Sequence, residues 1–187
     1  PVFHDGELIA LTSTIAHHVD IGGKVPGSEG PDNLEVFAEG LILPPLKLVE
    51  EGRSSKAIFD ILAANVRDPR GSAGDMRAQI AGCRTGERGM AELAGRYGND
   101  RFRALCGACL DYNETYMRRA IANLGEGTWQ ADVLMEDDVT SDEPIRLHAD
   151  VTVKGDEITV DVSGTDDQRA NGLNCPEAST LSMIHYA

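Results

Sequence analysis

The order of apolar and polar positions divides the chain into three stretches. Residues 7–16, ELIALTSTIA, are β-rich and almost all apolar or small, the pattern of a strand covered on both faces. His4-Asp5-Gly6 before it reads as a hairpin turn back to a short PVF strand. A Gly/Pro-rich loop follows from Ile21 to Asp32, and Pro44-Pro45 then forces extended chain. From Ser54 the period becomes helical. SSKAIFDILAANV opens on a serine cap, sets Ile58, Ile61 and Leu62 on one stripe, and is broken by DPRGS. Ser72 and Asp75 have the spacing of a capping box, with Asp in place of the usual Glu or Gln. Met76, Ile80 and Cys83 follow at i, i+4, i+7, and Met90, Leu93 and Tyr97 continue the stripe past a weak point at Gly86 and Gly89. Asn99 or Asp100 caps a further helix running to about Leu124, with Phe102, Cys106, Cys109, Met117, Ile121 and Leu124 on its face. Beyond GEGTW the pattern alternates. Ile145, Leu147, Ala149, Val151 and Val153 point one way, Lys154-Gly155-Asp156 turns the chain, and Ile158, Val160 and Val162 return inward as a hairpin.

Strands, then helices, then strands predict an α+β fold. It has buried strands at the N-terminal end, a central helical block and a C-terminal antiparallel hairpin region. Residues 1–187 are expected to form a single piece: strand and loop over 1–50, helices over 53–124, β structure over 127–187. A chain of 187 residues buries roughly 70% of its unfolded surface, so it needs no disulfide staples. Four cysteines in a chain this long point to a reducing, cytoplasmic protein. The net charge of −14 argues against nucleic acid and anionic membrane as partners. No apolar run approaches the roughly 20 residues of a membrane span. The chain opens on PVFHDG without Met and closes inside a half-apolar NCPEASTLSMIHYA, so both ends look cut and an internal fragment is expected.

Candidate chemistry narrows quickly. Cys106-x-x-Cys109 lies within a helix, shares a stripe with Phe102 and has no second ligand pair nearby, so core packing is expected rather than zinc or redox chemistry. Neither a Walker loop nor GxGxxG nor GxSxG occurs. Asp75 with Gln79 and Glu114 with Arg118 lie i, i+4 and read as a cap with a surface hydrogen bond and an exposed ion pair. Asp161, Asp166 and Asp167 flank a turn and read as solvated carboxylates. AHHVDIGG is harder to dismiss. His17, His18 and Asp20 end an apolar run and project into a glycine loop, a common place for a site. From these residues alone a metal ligand, a general base and a strand end all stay open.

PVF-DGEL, AHHVDIGG, PGS, EGLILPPLKL, N-R-P, GDMRAQIAGCRTGERGMAELAGRYG and VDVSGTDDQ…G--N occur here in that order. The ordered set closely resembles the hydantoinase B/5-oxoprolinase family, over essentially the whole chain. The resemblance implies a B-type subunit of an ATP-dependent cyclic amide hydrolase acting on hydantoin, 5-oxoproline or a lactam. The partner is an A-type subunit, or fused half, that binds ATP and activates a carbonyl oxygen by phosphorylation. The B-type chain then helps complete ring opening by water. A related branch carboxylates ketones such as acetone or acetophenone, and a third reading is a non-catalytic assembly segment of such a complex. The resemblance also implies a divalent metal, zinc or manganese, held by an H-x-x-D segment upstream of PVF and by a histidine of AHH. That histidine is mapped to His17, which makes the site incomplete within residues 1–187. On the same reading His18, Asp20 and Glu39 are the candidate acid–base residues.

Overall fold

The computed structural model describes residues 1–136 and 141–187. It divides into two compact units, Pro1–Gly30 with Glu35–Ala108, and Pro31–Leu34 with Cys109–Ala187. The elements, in order, are β1 (Val2–His4), β2 (Glu7–Ala10), β3 (Val49–Glu50), β4 (Arg53–Ser54), α1 (Lys56–Asn65), α2 (Pro69–Tyr97), α3 (Asn99–Ala122), β5 (Gly127–Met135), β6 (Ile145–Lys154), β7 (Glu157–Asp161) and α4 (Glu177–Tyr186). A single 3₁₀ turn spans Val36–Ala38. The architecture is α+β, as the sequence pattern predicts.

In the first unit β1 and β2 form an antiparallel hairpin. Its two turn residues, Asp5 and Gly6, have φ of 50° and 79°, the left-handed pair that a tight hairpin turn demands. His4 pairs with Glu7 and Phe3 with Leu8, and a bulge then puts Val2 opposite Ala10. Val2 is fully buried, and the His4 ring hydrogen-bonds Asn99 Oδ1 at 2.8 Å. Strand pairing stops at Ala10. The expectation of a strand covered on both faces over 7–16 therefore fails: only Glu7–Ala10 is strand, and Leu8, Leu11 and Ile15 are 51%, 75% and 99% exposed.

The helix α1 contributes the buried Leu62. Asp68 caps α2, its Oδ1 accepting from the Gly71 amide at 3.0 Å, and Pro69 occupies the first turn, where a missing N–H costs nothing. Ser72, expected as the cap, lies one turn inside and is fully buried. The helix runs unbroken through Gly86 and Gly89 for 29 residues. Gly98, with φ of 77°, separates it from α3. Phe102 is buried on α3, but Cys106 and Cys109 are exposed. This corrects the expectation of core packing. The two thiols follow Phe102 on the helical stripe, yet no described residue covers that part of it.

In the second unit β5, β6 and β7 form one antiparallel sheet in that order. β5 pairs with β6 from Gly127↔Val153 to Met135↔Ile145, and Gly155, with φ of 62°, turns β6 into β7. Ile145 and Val153 are buried at the two ends of the expected inward row. The chain after β7 folds back on β6. Asp166 donates its amide to the Arg146 carbonyl at 2.9 Å, and Thr165 Oγ1 bonds both the amide and the carbonyl of His148, at 3.0 and 3.1 Å. The last stretch forms α4, where the sequence pattern predicts β structure throughout.

Candidate functional site

The first unit lays residues 12–20 along α2 in the opposite direction. Thr12 Oγ1 donates to the Cys83 carbonyl at 3.2 Å, and Thr14 Oγ1 lies 3.7 Å from Cys83 Sγ. His18 Nε2 is 2.9 Å from Gln79 Oε1, the Val19 amide donates to Asp75 Oδ2 at 3.0 Å, and Ser72 Oγ donates to the Asp20 carbonyl at 2.6 Å. Close approach requires small residues on the helix. A Cβ on Gly86 would stand 2.8 Å from Thr12 Cγ2, and one on Gly82 would stand 3.1 Å from Thr14 Cγ2. Asp75 and Gln79, which read in the sequence as a cap and a surface hydrogen bond, thus hold the AHHVD segment in place. Their shared helix face is the available signal, but a polar face normally reads as solvated.

At Asp20 the chain turns into the glycine loop. Asp20 is buried and both its carboxylate oxygens are engaged. The Arg67 amide donates to Oδ2 at 2.6 Å and the Gly22 amide at 3.3 Å, while Arg67 Nη1 reaches Oδ1 at 3.0 Å and the Gly27 amide at 3.4 Å. The Arg67 guanidinium also spans the loop, donating to the carbonyls of Gly22, Gly23 and Val25 at 3.3, 2.7 and 3.1 Å. Ser28 Oγ donates to the Gly22 carbonyl at 2.9 Å. Gly22 and Gly23 have φ of 86° and 82°, and a Cβ on either would meet a carbonyl oxygen, of Asn65 or Ala38, at 2.5 Å. No other residue type fits there. Arg67 is the residue that sequence reasoning misses. It sits in the quoted N-R-P spacing, but nothing in the sequence ties it to a loop more than 40 residues away.

The electrostatics follow from this geometry. The Arg67 amide, more than any other group, holds the Asp20 carboxyl below the usual aspartate value. The guanidinium and the Gly22 and Gly27 amides add to it, against the burial that pushes the other way. A carboxylate accepting several N–H bonds stays ionised and is a weak base. His18 differs. Its Nε2 is hydrogen-bonded to Gln79 Oε1, and Nδ1 is buried with no hydrogen-bond partner among the described residues. His17 points outward, its ring 98% exposed and 3.8 Å from Glu29 Oε1. Glu39 follows the 3₁₀ turn. Its backbone packs where a Cβ on Gly23 would be, while its side chain is exposed.

The second unit holds another polar cluster. His148, only 11% exposed, lies between Asp132 Oδ1, 2.9 Å from Nδ1, and Asp150 Oδ2, 3.3 Å from Nε2. Those two hydrogen bonds, Asp132 first, raise its pKa. Arg146 Nε donates to the same Asp132 oxygen at 2.6 Å. Among the described residues no group of three or more His, Cys, Asp or Glu side chains is placed to hold a metal ion. Among the described residues, too, no helix is long and apolar enough to cross a membrane.

A segment laid along a long helix, ending in a histidine pair and a clamped glycine loop, defines a mixed α+β segment. The chain belongs to the hydantoinase B/oxoprolinase family, whose description matches residues 1–187. The chain is 36% identical over its whole length to the B component of a putative D-/L-hydantoinase from Pseudomonas sp. (strain NS671), and it spans 32% of that relative. The caprolactamase beta chain of Pseudomonas jessenii is 36% identical over 86% of this chain, which spans 28% of it. The crystal structure of that organism's ATP-dependent caprolactamase superposes with a TM-score of 0.80 at 31% identity, covering 89% of this chain and 28% of that one. At 27% identity the chain also matches the acetophenone carboxylase delta subunit of Aromatoleum aromaticum, of which it spans 28%. The chain therefore spans about a third of the length of these relatives.

Proposed function

We propose that this chain is part of the B-type subunit of an ATP-dependent cyclic amide hydrolase, cytoplasmic, working with an A-type partner that binds ATP. The observation that carries this is the match along the chain to relatives named as the B component of a hydantoinase and the beta chain of a caprolactamase. On this reading the A-type partner phosphorylates the amide oxygen of a hydantoin, 5-oxoproline or lactam. The carbon becomes electrophilic enough for water to attack with the help of a modest base. His18 is the base best placed for it, because Nδ1 has no competing partner and Gln79 fixes the ring. Asp20 serves by keeping the Gly22–Gly23 backbone in position, and Glu39 borders the same loop.

A divalent zinc or manganese ion belongs to this reading. One lone pair cannot serve both roles, so His18 Nδ1 would be a ligand only in place of acting as the base, while His17 projects from the surface; further ligands would come from outside the described residues. Such an ion, when bound, would polarise a carbonyl or lower the pKa of bound water to about 7.

The full-length polypeptide, purified with its A-type partner, tests the proposal. ATP-dependent ring opening of hydantoin, 5-oxoproline or caprolactam is the expected result. Bicarbonate- and ATP-dependent carboxylation of acetophenone without ring opening would favour the carboxylase reading, which rests on the similarity to the acetophenone carboxylase delta subunit. Metal content of H17A and H18A proteins decides which histidine is the ligand.

A further inference from the structure

Residues 12–18 form no backbone–backbone hydrogen bond among the described residues, although they continue directly from β2. Their side chains alternate. Thr12 and Thr14 touch α2, whereas Leu11, Ser13 and Ile15 point away from it. One face is thus satisfied by the helix while the backbone donors and acceptors of a strand are left open. An open row of this kind is a template for another strand.

The register of the β1–β2 hairpin says where that strand comes from. Beyond the bulge, Val2 lies opposite Ala10. Each residue further back along the incoming chain advances one place beyond Ala10, which puts Pro1 opposite Leu11 and the residue before Pro1 opposite Thr12. The direction of β1 already points along the open edge. The relatives matched along the whole chain are about three times as long. We propose that, in the full-length polypeptide, the segment entering β1 ahead of Pro1 is itself a strand. It pairs antiparallel with Thr12–His17 and extends the two-stranded hairpin as far as the first residue of the histidine pair. Its residues opposite Leu11, Ser13 and Ile15 share their outward face. This inference concerns the architecture alone and holds whichever reaction the enzyme performs.

A cysteine pair reads the register. Directly opposed residues of an antiparallel pair have Cα atoms about 4.5–5.5 Å apart, within disulfide reach. In the full-length protein with its partner, S13C is combined with a cysteine at the second residue before Pro1. A control pair places the upstream cysteine one residue further back, on the opposite face. Oxidation should link the in-register pair within one chain at least ~10-fold more than the control. Equal linkage of both pairs, or none, overturns the proposal. A link between two chains overturns it as well and assigns the edge to a second copy. Hydrogen exchange on the unmodified full-length protein gives a second readout. Protection of alternate amides across Thr12–His17 is expected, and exchange at the rate of free chain there contradicts the paired strand.

Discussion

Arg67 bonds Asp20 twice over, with its backbone amide at 2.6 Å and its guanidinium at 3.0 Å, and the same guanidinium reaches three loop carbonyls beyond. One residue therefore fixes both the carboxylate at the start of the glycine loop and the path of the loop itself. Arg67→Ala removes the side-chain half of this arrangement and leaves the backbone half. In the complete enzyme it is expected to lower kcat/KM by roughly 100-fold through misplacement of the loop. Arg67→Lys should restore little, because one ammonium cannot reproduce a fork that serves Asp20 and three carbonyls. Steady-state kinetics of the two variants, with metal content measured in parallel, checks this.

The same pair predicts acid sensitivity. The pKa of Asp20 is depressed in the folded protein, so its contribution to stability is fully present above the unfolded value of about 3.9. That contribution is lost as the pH falls through the lower folded value. Asp20→Asn removes the dependence along with the charge. Thermal unfolding of wild type and D20N across the acid range should give curves that differ by a constant amount at neutral pH and converge on acidification.

His148 carries the opposite sign. Its pKa is raised, so its stabilising effect is complete below the unfolded value of about 6.5 and disappears as the pH rises through the folded one. Asp132 and Asp150 face the ring, Arg146 shares Asp132 with it, and Asp161 feels its charge. In His148→Gln the stability of the sheet should no longer decline as the pH rises from about 6.5 through the folded value. A slope identical to wild type would show that the ring does not titrate with folding.

The glycines of α2 separate into two kinds. Among the described residues nothing stands within 4 Å of a Cβ built on Gly89, whereas one on Gly86 would stand 2.8 Å from Thr12 Cγ2. Gly89→Ala should stabilise the protein by about 0.8–1 kcal/mol through helix propensity. Gly86→Ala gains the same propensity but presses on a β-branched side chain with little freedom to move. It should fall short of Gly89→Ala by ~1 kcal/mol or more. Urea unfolding of the two variants distinguishes them.

Turn chemistry and periodicity make much of this fold legible. His4-Asp5-Gly6 and Lys154-Gly155-Asp156 announce hairpins because few residues accept the required backbone. The helical period of α1 and α2 and the alternation of β6 are equally direct, although Ile61, Leu93, Tyr97 and Leu147 on those rows are exposed. What stays hidden depends on distance in the chain. Ser72 has the spacing of a cap, yet it serves a carbonyl 52 residues away. Asp75 and Gln79 look like any polar helix face until the AHHVD segment is set against them. His148 escapes notice because the alternation that reveals the apolar row makes its own row read as solvated. Leu11, Ile15, Cys106 and Cys109 mislead in the other direction, since apolar character does not say which partner supplies the cover.

The contacts that seat His18, Val19 and Asp20 on α2 join residues 52 to 61 positions apart, and His4 reaches Asn99 across 95. At a ribosomal rate of about 5–20 residues per second, the segment waits several seconds for the helix that will hold it. Throughout that interval the hydrogen bonds that hold His18, Val19 and Asp20 are unmade. The segment is made well before the helix that seats it, so the His18–Asp20 arrangement cannot form until synthesis has passed Gln79.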